Sequence, residues 1–150
     1  MLPEPLAAIV ELFTGLSEGE RRELLVHYAE RSSSHAPQPG EVYELEDVRH
    51  DAECTDTVGV HLRRDAAGGC HFRLSLGPEV QTLTRALGSI LCEGLAGASP
   101  QAVLMVPETV IDQIAGGTLV RLRSRTVYYL LRRMQQAVRR PGITRPGDRD

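Results

Sequence analysis

Apolar residues recur along the chain in two different rhythms. Near the start, Leu6, Ile9, Val10, Phe13 and Leu16 fall at three- and four-residue intervals and define one face of a helix. Ser17-x-x-Glu20 then has the form of a capping box, in which each side chain satisfies a free backbone N–H at a helix start. It predicts a second helix that buries Leu24, Leu25 and Tyr28. Residues 32–40 contain two prolines and a glycine and predict a loop without a regular element.

The middle of the chain changes period. A strand is predicted from Val42 to Val48. Val58, Val60 and Leu62 occupy alternate positions in the next segment, and Cys70, Phe72, Leu74 and Leu76 repeat the pattern. Asp65-Ala66-Ala67-Gly68-Gly69 between them has turn composition, so the pair reads as a hairpin with one buried face.

Helical spacing then returns. Gly77-Pro78 predicts the start of a helix with Val80, Leu83, Leu87, Ile90, Leu91 and Leu95 on its face. Ser99-Pro100 supplies an N-cap followed by proline at the first helical position. A short helix carries Val110, Ile111 and Ile114 towards Gly116-Gly117. Ser124 is read as the cap of a last, long helix bearing Val127, Leu130, Leu131, Met134 and Val138. The order predicts an α+β domain, a small antiparallel sheet with helices packed on one face. Its expected limits are residues 2–138, followed by a flexible tail over 139–150.

Composition narrows the chemistry. The 150 residues suit one core, and no apolar run approaches the length needed to cross a bilayer. No secretory leader is visible at the start, so the cytoplasm is the expected location. All 17 basic residues are arginine. Without lysine the chain forms no Schiff base with pyridoxal phosphate and has no P-loop. The basic residues concentrate in the second half, spread along a helical pattern with few aromatics. They are read as a solvated helix face rather than a nucleic-acid surface. Glu44, Glu46 and Asp47 are likewise read as a solvated edge.

Three cysteines remain as candidate chemistry. Cys70 and Cys92 fall on or beside apolar positions and are expected to be buried thiols. Cys54 lies in Arg49-His50-Asp51-Ala52-Glu53-Cys54-Thr55-Asp56, which has no large apolar side chain and reads as an exposed loop. Asp51, Glu53 and Asp56 oppose a thiolate there, whereas Arg49 and His50 favour one. A metal site drawn from His50, Cys54, His61, Cys70 and His71 is a rival use. It lacks the Cys-x-x-Cys of structural zinc sites, and Cys70 and His71 point to opposite strand faces.

The ordered motifs resemble the SufE family. Leu2-Pro3-Glu4-Pro5-Leu6 is similar to that family's Leu-Pro-x-x-Leu start. Ala52-Glu53-Cys54-Thr55-Asp56-Thr57-Val58 is similar to its reactive loop. Thr84-Arg85-Ala86-Leu87, Gly97-Ala98-Ser99-Pro100 and Leu119-Val120-Arg121-Leu122-Arg123-Ser124-Arg125 follow in family order. The chain departs from the family pattern at Glu53 and Asp56, where glycine and serine are usual, at Gly59, where an aromatic is common, and at Val80 and Tyr128.

The resemblance implies a fold shared with IscU and a role in iron–sulfur cluster assembly. Cys54 would accept a persulfide from a SufS-type cysteine desulfurase, which carries the pyridoxal phosphate. Sulfur would then pass towards a cluster-assembly scaffold. Arg85, Arg125 and Asp56 would shape the loop or the docking face. No cofactor, metal, nucleic acid or membrane is expected for this chain itself. A diverged interaction module without sulfur transfer, or a scaffold binding metal or a cluster, is the alternative.

Overall fold

The computed structural model describes residues 1–51, 56–116 and 126–140. Helices α1 (Glu4–Thr14) and α2 (Glu18–Glu30) lead into a 3-10 helix (Ser32–His35). Strands β1 (Leu45–Asp51), β2 (Asp56–Arg64) and β3 (Cys70–Leu76) follow. Helices α3 (Thr82–Gly94), α4 (Pro100–Leu104), α5 (Thr109–Ala115) and α6 (Thr126–Arg139) complete the described elements. The sheet is antiparallel in the order β1-β2-β3. The α+β expectation holds, and helices cover one face of that sheet.

The core lies between that face and the helices. Val58, Val60 and Leu62 pair with Leu76, Leu74 and Phe72, and this apolar row meets Leu87, Ile90, Leu91, Leu130 and Met134 in one cluster. The capping box at Ser17 and Glu20 is present and fixes the turn between the first two helices. Arg21 then ties the N-terminal pair to α5. Its guanidinium donates to the carbonyls of Gln113, Ile114 and Phe13, satisfying free carbonyls at helix ends. Helix α6 is stitched to its neighbours by Tyr128 on Asp112 at 2.6 Å and by Gln135 on the carbonyls of Val103 and Val106.

Several boundaries differ from expectation, each for a local reason. Residues 32–40 contain the 3-10 helix, which Arg31 and His35 anchor to Glu93 of α3. Strand β1 begins at Leu45 rather than Val42. The segment before it lies over the sheet's outer face, with Glu41 on Arg73 and Tyr43 against the His61 ring. Helix α3 begins at Thr82 rather than at Gly77-Pro78, because residues 77–80 form a turn closed by Val80 N–H on the Gly77 carbonyl.

The hairpin also has more than one buried face. In β2, Gly59 and His61 are buried along with Val58, Val60 and Leu62. The Ser124 cap and residues 141–150 of the expected tail lie outside the described residues. Arg139, read as the first tail residue, still belongs to α6.

Candidate functional site

Strand register defines the end of the sheet that carries the cysteine motif. Asp51 and Asp56 are partners in the β1–β2 ladder. The four residues joining them, 52–55, include Cys54 and lie outside the described residues, as does Arg125. The flanks are described, and they bring two expected site residues, Asp56 and Arg85, to one place.

The Asp56 carboxylate accepts N–H donors from both sides of a gap in sequence. Oδ1 takes the Thr57 amide and Oδ2 takes the Glu79 amide, each at 2.6 Å. These bonds, the Glu79 bond foremost, hold the Asp56 carboxyl below the usual carboxylate range. Gly77 is packed against it, and a Cβ at that position would clash with the Asp56 carboxylate. Arg85 donates from Nε to the Val80 carbonyl at 3.0 Å and from Nη2 to the Gly77 carbonyl. Asp56 and Arg85 therefore clamp the turn between β3 and α3 against the start of β2.

A second cluster lies on the helix side of the same hairpin. The register puts Leu45, Asp47 and Arg49 opposite Leu62, Val60 and Val58, so the core phase of β1 turns from apolar to charged. Arg133 of α6 fills that region and is only 1% exposed. It donates to Tyr129 Oη at 2.6 Å, to the Asp47 carbonyl at 2.6 Å and to the Val58 carbonyl at 3.2 Å. It also lies 3.2 Å from Asp47 Oδ2. One guanidinium thus links the last helix to two strands. The expectation that Asp47 is a solvated edge and that the helix arginines are a solvated face is corrected at these two residues. A buried cation needs a carboxylate beside it, and the half-buried Asp47 supplies one.

The outer sheet face carries a third group. His61 is buried, with Nε2 2.6 Å from Ser75 Oγ and Nδ1 3.2 Å from Glu46 Oε1. Its ring leans over Gly59, where a Cβ would lie 2.8 Å from Val48 Cγ2 and 3.1 Å from both His61 Nε2 and Ser75 Cβ. At the glycine that departs from the SufE pattern, a side chain would therefore require Val48, His61 or Ser75 to shift.

The other candidate residues are dispersed. Cys70 and Cys92 are buried, and burial pushes both thiols up, Cys92 to about 12. His71 pairs with Asp65 at 2.8 Å, beside the β2–β3 turn. His50 is exposed on β1. Among the described residues no group of three His, Cys, Asp or Glu is arranged to hold a metal ion. No helix among them is long and apolar enough to cross a membrane.

Sequence reasoning missed Arg133, Asp47, Gly77 and the Ser75–His61–Glu46 network. Arg133 carried a signal, since it stands between Leu130 and Ala137 on the apolar stripe of α6.

No family model matches this chain, and no curated protein does. The fold is similar to the solution structure of a hypothetical protein from Thermus thermophilus. The two are 29% identical, with a TM-score of 0.73 over 93% of this chain and 96% of the other.

Proposed function

We propose that this protein is a sulfur acceptor. Cys54 takes a persulfide from a SufS-type cysteine desulfurase and passes the sulfur towards iron–sulfur cluster assembly. The observation that carries the reading is the position of Cys54 between Asp51 and Asp56, paired ends of adjacent strands. A four-residue connection there is a natural place to present a side chain to another protein. The buried Cys70 and Cys92, with thiols raised by desolvation, are unsuited to the task and leave Cys54 as the acceptor. The ordered motif resemblance to the SufE family supports the same assignment.

The chemistry is a single exchange. The Cys54 thiolate attacks the terminal sulfur of the donor's cysteine persulfide. The donor's S–S bond breaks, its cysteine departs as a thiolate, and a new S–S bond forms on Cys54. No net oxidation occurs, because the sulfane sulfur changes carriers without changing oxidation state. The donor sulfur is already activated, so the acceptor needs accessibility and alignment more than a strongly acidic thiol.

The test is intact-mass measurement without reductant after incubation with a SufS-type desulfurase and cysteine. One added sulfur, mapped to Cys54 and missing from Cys54→Ser, is the expected result. No added sulfur, with a SufE control labelled in parallel, would refute the assignment.

A further inference from the structure

Three guanidinium groups converge on one carboxylate oxygen. Asp47 Oδ2 lies 3.2 Å from Arg133, 3.7 Å from Arg49 and 3.8 Å from Arg140. The arginines come from α6, from β1 and from the residue just past α6. Their environments differ. Arg133 is sealed in the core, whereas the Arg49 and Arg140 side chains are 50% and 45% exposed. Arg133 is the closest of the three to the Asp47 oxygen. The outer two stand beyond hydrogen-bond range of that oxygen and are held to it by charge.

This cluster has more cations than anions. The charge of Asp51 also reaches Arg133, and even with it three arginines face two carboxylates. The exposed Arg139 adds a fourth cation on the adjoining helix end, while Arg49 also donates to Gln136 at 3.4 Å. The excess is local, since the chain as a whole carries a net charge of -3. It is also near the proposed acceptor loop. Asp47 and Asp51 lie four residues apart on one strand, about 13 Å at strand rise. One protein surface of ordinary interface size spans both.

We infer that Arg49 and Arg140 form a docking patch for an acidic segment of the sulfur donor, with Arg133 and Asp47 as its fixed base. The inference rests on the sulfur-acceptor reading and names the chemistry of the partner's contact surface. Carboxylates suit the patch better than a phosphate backbone does. Asp47 and Asp51 interrupt the cations, which side chains can straddle and a continuous polyanion cannot.

The test measures association of the full-length protein with an immobilised cysteine desulfurase at low and high salt. The variants are Arg49→Glu with Arg140→Glu, which leave Arg133 in place, and a circular dichroism spectrum confirms the fold. The wild type should associate more slowly as salt rises. The double variant should associate about tenfold more slowly at low salt and lose the salt dependence. Equal rates and equal salt dependence for the two proteins would overturn the patch, even while the wild type still gains sulfur on Cys54.

If the wild type neither binds the desulfurase nor gains sulfur, the acceptor reading fails by itself. The patch is then decided by nuclear magnetic resonance with an octaglutamate peptide. Shifts of the Arg49 and Arg140 side-chain N–H signals would support it, and their absence would overturn it. Tighter binding of an octathymidylate at those signals would also overturn it, in favour of nucleic acid.

Discussion

The Asp56 carboxylate occupies the space that a side chain at Gly77 would need, and through that contact the start of β2 is seated on the turn leading to α3. The two residues are far apart in sequence, and Asp56 directly follows the segment that carries Cys54. Gly77→Ala should push the carboxylate off the Glu79 and Thr57 amides and lower the urea midpoint. A midpoint unchanged from wild type would show that the clamp is dispensable.

The same clamp sets an acid limit. Asp56 is held low by the amides of Glu79 and Thr57, and Asp65 is held low by His71 and then by the Gly69 amide. A carboxyl depressed in the folded state stabilises it above the unfolded carboxyl value of about 3.9. That contribution is lost as pH falls through the lower folded value. Stability should therefore drop below about pH 4, and the difference between wild type and Asp56→Asn should shrink there. Urea titrations between neutral pH and about pH 3 measure this, and a difference constant with pH would contradict it.

Arg133 is the most consequential single side chain. Arg133→Met would leave the Asp47 carboxylate only the more distant Arg49 and Arg140 and would remove the donor serving Tyr129 and two strand carbonyls. A loss of about 2–4 kcal/mol is expected, chiefly from the buried hydrogen bonds left unmade. Arg133→Lys should recover little of it, because an ammonium cannot reach several planar acceptors at once. Chemical denaturation of both variants decides the point, and full recovery by lysine would count against the bridging role.

Gly59 offers a separate test of the outer sheet face. Gly59→Ala places a methyl group against Val48, His61 and Ser75 and should cost about 1–3 kcal/mol, typical of overpacking. Gly59→Phe, which introduces the aromatic common in the SufE pattern, should be worse unless His61 is changed too. A stable Gly59→Phe protein with wild-type His61 would show that the network yields easily.

The thiols should separate by reactivity. In the native protein at about pH 8, iodoacetamide is expected to modify Cys54 and to spare Cys70 and Cys92, both buried and the latter raised to about 12. All three should react in denaturant. Native-state modification of Cys70 or Cys92 as fast as Cys54 would remove the distinction on which the acceptor assignment depends.

Most of the helices were legible because their burial is periodic. Leu6, Val10 and Phe13, or Leu130, Leu131 and Met134, announce a face whatever it packs against. The β2–β3 hairpin was legible for the same reason at period two. Strand β1 was misplaced because Asp47 and Arg49 take core-phase positions where a sequence pattern looks for apolar residues. Its alternation becomes readable only when Arg133, far away in the chain, is known to complete it. The start of α3 was misplaced because Gly77-Pro78 resembles a helix start, while the Asp56 contact holds it as a turn. Of the candidate site, Asp56 and Arg85 were singled out from the sequence, but the clamp they form and the arginine cluster depend on long-range contacts between polar residues. Such contacts name no partner in the sequence, even where, as at Arg133, a polar residue interrupts an apolar stripe.

The reliance of β1 on Arg133 has a consequence for the order of assembly. The hairpin of β2 and β3 has its own apolar row and can collapse onto α3 as soon as that helix exists. Strand β1 has only Leu45 buried in that layer and, besides its ladder to β2, is anchored there by Arg133 of α6. Helix α6 is made after the β2–β3 hairpin, so the helix-side anchor of the strand that leads into the cysteine segment exists only once α6 has been synthesised. A ribosome-bound chain lacking α6 would hold that strand by its ladder to β2 alone, and arrival of α6 is what pins its charged positions against the helix layer.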